Sequence, residues 1–187
     1  MIPIIPTRAS AVFGLCLCLT SFSFSQGASA QQPYAGQESR EIKSLSETDV
    51  EDLLAGRGWG LAKPAELNGY PGPSHVLDAS EDLNLTPQTR TRIEAIFDTM
   101  NAEARRLGVL YVEAETRLEE AFAGGTAKAE DLRALLAEAG SLRTQLRLVH
   151  LQAHLETAPL LTRHQKMIYA RLRGYQGGTG HSHGGNH

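Results

Sequence analysis

Two histidines four residues apart, His150 and His154, carry the strongest chemical signal in this chain of 187 residues. They fall in a run with helical periodicity, so both rings project from one face, one turn apart. Two imidazoles at that spacing bind one divalent metal ion. A helical wheel drawn from the neighbouring apolar positions puts both rings on the flank of the apolar stripe. The same position also suits a pair of half-exposed surface histidines. Three more histidines, His181, His183 and His187, stand in a glycine- and serine-rich C-terminal stretch. Imidazoles in such a background bind Cu(II), Ni(II) or Zn(II) weakly, because the segment loses its own freedom on binding. They also fit a plain solubilising tail. His164 occupies the variable position of a capping motif and reads as a surface residue.

Catalytic chemistry has little to rest on. No serine sits in a nucleophile-elbow pattern. The carboxylates Glu113, Glu115, Glu119 and Glu120 lie among basic residues, as on a solvated helix face. The glycines between Gly56 and Gly60 lack the ending of a phosphate loop. Cys16 and Cys18 are the two cysteines. Both lie in residues 1–30, which read as a secretory signal peptide: a single early charge at Arg8, an apolar stretch, then Ala28-Ser29-Ala30 with cleavage expected after Ala30. The remaining chain then has no thiol for disulfides or metal. Its formal net charge moves from −3 to −4 as Arg8 leaves, which argues against a nucleic-acid binder. No apolar run after residue 30 is long enough to span a bilayer.

The elements that must position the histidines are helices. Residues 31–45 are polar, with Pro33 and Gly36, and read as a mobile leader. Ser46 and Asp49 form a capping-box pattern for a short helix through Leu53 and Leu54. A brief helix is expected over 61–67, and another over 75–83 with Ser74 as its cap. Thr86 as N-cap and Pro87 at the first helical position open a long helix to about Phe122. Its length is roughly 50 Å at 1.5 Å per residue. Gly124 and Gly125 break it, and a second long helix runs over about 127–157. Thr162 and Gln165 then cap a third. Residues 176–187 read as a disordered His- and Gly-rich tail.

The fold class expected is therefore all-α: a long antiparallel αα-hairpin with short flanking helices in one domain over 46–175. Gly108 and Gly140 fall at similar levels of the hairpin and suggest a close approach of its arms. Two tolerated mid-helix glycines explain them as well. A hairpin has one seam and little depth, so the short helices over 46–83 or the third helix are expected to cover its other side, and a second copy is expected beside it, making a homodimer. The pairing brings residue 100 of the first arm near His150. Glu103 lies about one turn away, and His75 is able to fold back over the same end. Glu103 and His75 are thus the candidate partners of the histidine pair.

Leu161-Thr162-Arg163-His164-Gln165 matches an L-T-x-x-Q signature after the hairpin. Leu85-Thr86-Pro87-Gln88-Thr89 is an imperfect first copy, with Thr89 in place of Gln. In that order the chain resembles the Spy/CpxP-like family of periplasmic chaperones and heavy-metal sensors. Leu148-Val149-His150-Leu151-Gln152-Ala153-His154 is similar to the metal-binding stretch of its cobalt–nickel sensors, with His154 where such a sensor has methionine. The resemblance implies a periplasmic protein that binds a divalent transition metal, Zn, Ni, Co or Cu, as sensor or buffer. It also implies two alternatives: an ATP-independent chaperone holding unfolded client proteins on an arginine-flanked surface, and a metal-free ligand of a membrane-anchored sensor. None of these is an enzyme.

Overall fold

A computed structural model describes residues 33–175. The signal-peptide reading and His181, His183 and His187 lie outside the described residues. One unit, beginning at Gly36, holds all the helices.

Six helices follow in chain order: α1 (Glu47–Leu54), α2 (Lys63–Glu66), α3 (Pro73–Asp78), α4 (Pro87–Ala123), α5 (Ala129–Thr157) and α6 (Arg163–Leu172), with a 3-10 turn at Ala158–Leu160 before α6. No strand occurs among the described residues. The all-α class and the long hairpin, α4 against α5, are as the periodicity predicts. The caps set the boundaries. Ser46 and Asp49 form the full capping box of α1, and Thr86 accepts from the Thr89 amide at the start of α4. Thr162 and Gln165 form the box of α6. Gln165 does more than cap: its Nε2 donates to the Leu83 carbonyl at 3.0 Å. Together with buried Leu161, this fastens α6 to the segment preceding α4. The L-T-x-x-Q string is thus a cap and a tie in one.

Two details differ from the sequence reading. The helix expected at 75–83 starts earlier, with Gly72 as N-cap and Pro73 at its first position, and ends at Asp78. Proline at that position needs no N–H, so it begins the helix more readily than Ser74 caps it. Part of the stretch read as a leader is built into the fold, because Ile42 and Leu45 are buried in the core.

The core has two centres along α4. One joins Ile42, Leu45, Leu53 and Leu61 to Leu107 and Tyr111 of α4 and Leu146 of α5. The other joins Val76, Leu83 and Ile93 to Leu161 and Tyr169. Each fully buried aliphatic side chain contributes about 1.5–3 kcal/mol. The short helices supply the depth that a bare hairpin lacks: α1 and α3 pack on α4, and α2 and α3 touch α5. Met100 and Asn101 fall on α4 between the two centres, and the histidines of α5 lie at that level.

Gly108 is the point of closest approach, but to α1 rather than to α5. A Cβ on Gly108 would stand 2.1 Å from the Leu53 carbonyl oxygen. At Gly140 a Cβ would meet nothing within 4 Å. The hairpin arms therefore do not pinch at a glycine pair; α4 gives up one side chain so that α1 can lie on it.

Candidate metal centre

One turn of α5 puts His150 and His154 on the covered side of the hairpin. Both are buried, with 3% and 8% of their surface exposed. The wheel places them on the flank instead. It counts only the apolar residues of the two long helices, whereas residues 55–58 and 72–73 roof this part of the hairpin.

Both rings border a cavity of about 400 Å³. Met100, Asn101, Gly72, His75 and Arg57 also line it. His150 is the more unusual of the two. Its Nε2 is buried and has no hydrogen-bond partner. Leaving such an atom unpaired costs about 1–3 kcal/mol, and a native structure that keeps one calls for a reason. Burial, and then the neighbouring His154, pushes the His150 imidazole down to about 4. It is therefore neutral at neutral pH, the form that coordinates a metal.

His154 is held from behind. Its Nδ1 lies 2.6 Å from the Tyr70 carbonyl oxygen. A carbonyl only accepts, so Nδ1 carries a proton and donates, which in the neutral form of the ring leaves the lone pair on Nε2. A backbone carbonyl on the far nitrogen is the usual support of a metal-ligating histidine. Gly72 makes room for the ring: a Cβ there would stand 2.7 Å from both Cε1 and Nε2 of His154. Gly72 has an ordinary backbone, φ −84°, so the glycine is required by space and not by conformation. Gly72→Ala is expected to rotate His154 off the Tyr70 carbonyl and to destabilise the fold by about 1–3 kcal/mol. Thermal melts check the stability, and the Nδ1–H signal in an imidazole-detected nitrogen correlation spectrum checks the tautomer. An unchanged His154 signal would remove Gly72 from the site.

Behind His154 lies a carboxylate that residue spacing offers no reason to single out. Glu66, at the end of α2, has Oε2 3.7 Å from His154 Nδ1 and Oε1 3.7 Å from His75 Nδ1. Its side chain is only 11% exposed. Tyr169 and Tyr175 donate their hydroxyls to Oε1, and the Gly72 N–H donates to Oε2 at 3.3 Å. Arg173 stands 3.5 Å away. Burial, reinforced by this carboxylate, pushes the Tyr169 hydroxyl far above its ordinary value. Glu66 thus joins α2, His75, His154 and the end of α6. Its oxygens are already engaged.

Of the residues singled out by spacing, the structure brings His75, His150 and His154 to one cavity. His75 is at its rim, with 44% of its side chain exposed. Glu103 is elsewhere. It lines a separate hollow of about 160 Å³ with Ile96, Val149 and Glu156. Arg106 grips both its oxygens, at 2.8 and 2.6 Å, and that fork holds the carboxyl below its ordinary value. Among the described residues no three His, Cys, Asp or Glu side chains converge as a ready metal cage. Met100 falls at the level that the pairing of the arms places beside His150, whereas Gly72, in the stretch before the helix expected at 75–83, is a residue that spacing does not reveal.

No protein-family model, curated protein or solved structure matches the chain.

Proposed function

We propose that this chain binds a transition metal through His150 and His154 and serves in the bacterial envelope as a heavy-metal sensor or buffer. The observation that carries the reading is the buried His150 imidazole, with no partner for Nε2, one helical turn from a second imidazole whose Nδ1 is tied to the Tyr70 carbonyl. Metal coordination supplies the partner that His150 lacks and uses the lone pair that His154 keeps free. The signal-peptide pattern and the L-T-x-x-Q resemblance support the envelope location. Sensing is favoured over plain storage because His154 stands beside Glu66, which α6 and Tyr175 also hold. A metal that draws on His154 acts on that junction directly.

Equilibrium titration tests this. With His181, His183 and His187 changed to alanine, the full chain is expected to bind one equivalent of Zn(II), Ni(II), Co(II) or copper. His150→Ala is expected to remove that equivalent. A histidine-tail variant with no stoichiometric metal, or a His150→Ala variant that keeps it, overturns the proposal.

A further inference from the structure

We infer that this cavity selects the soft monovalent ion Cu(I), held by His150, His154 and the thioether of Met100, over the divalent ions. The inference rests on the reading of the two histidines as ligands and narrows it by the donors around them. Met100 is buried on α4 and borders the same cavity as both imidazoles. Carboxylates are missing from that lining. Glu66 stands on the Nδ1 side of His154, its oxygens engaged by Tyr169, Tyr175 and Gly72. Glu103 faces the other hollow and is forked by Arg106. Asn101 gives its amide nitrogen to the Ala55 carbonyl at 3.0 Å. His75 stays at the rim, its Nδ1 turned to Glu66. The donors left among the buried lining side chains are the imidazoles of His150 and His154 and the sulfur of Met100.

That set decides between metals on two grounds. The first is softness: thioether sulfur favours Cu(I), whereas carboxylate, carbonyl and water suit harder ions. The second is charge. No carboxylate stands in the cavity lining itself, so a divalent ion there would keep more of its charge uncompensated than a monovalent one, and burying uncompensated charge is costly. Cu(I) halves that charge. It is also content with low coordination, so three donors suffice without an oxygen ligand. Zn(II) in a structural site takes four.

The test is competition against a chromophoric Cu(I) chelator under anaerobic, reducing conditions. It uses the full chain with His181, His183 and His187 changed to alanine, alongside parallel titrations with Zn(II), Ni(II) and Co(II). Cu(I) is expected to bind more tightly than any of the three. Met100→Leu is expected to weaken Cu(I) by about one to two orders of magnitude and to leave Zn(II) affinity unchanged. The swap conserves volume, so it costs less than about 1.5 kcal/mol of stability. X-ray absorption at the copper edge of the unsubstituted Met100 protein gives a readout that needs no variant: one sulfur and two nitrogen neighbours are expected. Tighter Zn(II), Ni(II) or Co(II) than Cu(I), or a copper shell without sulfur, overturns this inference and leaves the proposed function standing. Failure of all four ions to bind overturns both.

Discussion

Gly108→Ala is expected to lower stability by about 2 kcal/mol or more, whereas Gly140→Ala is expected to raise it by about 1 kcal/mol. Both glycines lie inside long helices, and in both places alanine gains helix propensity worth about 1 kcal/mol. The sign is decided by what the new methyl meets. At Gly108 it would stand 2.1 Å from the carbonyl oxygen and 2.8 Å from the carbonyl carbon of Leu53. Those are backbone atoms of α1, and Leu53 is itself fully buried, so no flexible side chain can yield. α1 must lift from α4, loosening Leu53 and Leu61 where they meet Leu107 and Tyr111. At Gly140 the methyl meets nothing within 4 Å and only the propensity gain remains. Urea unfolding of the two variants measures both effects. Equal signs would show that α1 does not lie on α4 at Gly108.

The second large effect is in the pH dependence of the metal-free protein. The His150 imidazole is depressed from 6.5 to about 4, so the unfolded chain binds a proton there that the folded chain refuses. Its contribution to stability is complete above the unfolded value. It is lost as pH falls from about 7 toward 4, with no further loss below. A depression of that size corresponds to about 3 kcal/mol over the window. His150→Leu removes the titrating group and fills the same space with an apolar side chain. In chelator-containing buffer, the stability of the wild-type protein relative to this variant is expected to fall by that amount between pH 7 and pH 4. Parallel pH profiles for the two proteins would mean that His150 is not held neutral by burial.

Sequence patterns carry the fold further than the site, for physical reasons that particular residues show. Three-four spacing after Thr86, with threonine and proline at the helix start, is local information, and α4 forms as those residues dictate. The capping boxes at Ser46 and Thr162 are local too. The pairing of the arms also places residue 100 near His150, and Met100 does border its cavity. What a wheel cannot contain is the roof. Gly56, Gly72 and Pro73 reach His150 and His154 only once α1, α2 and α3 are folded back, so the pair reads as flanking when it is buried. Glu103 is singled out by its level on α4, but level does not fix direction, and Arg106 one turn away takes it. Gly108 pairs on paper with Gly140 because both lie on the hairpin, while its true neighbour, Leu53, comes from a helix of eight residues far away in sequence. Ile42 and Leu45 stand in a polar stretch with no periodicity around them, and only the core to which they are fastened reveals their place.

Metal-linked stability tests the central claim most directly. A metal that binds the folded chain and not the unfolded one stabilises it by about 2.7 kcal/mol at a free concentration one hundred times its dissociation constant. The comparison is between the full chain with its three C-terminal histidines changed to alanine and the same chain carrying His150→Leu and His154→Gln. Denaturant unfolding at pH 7.5, with and without the tightest-binding metal, measures the difference. The first protein is predicted to gain about 2.7 kcal/mol, and the second, folded by circular dichroism, to gain nothing. A second protein that keeps the full gain would place the metal somewhere other than His150 and His154.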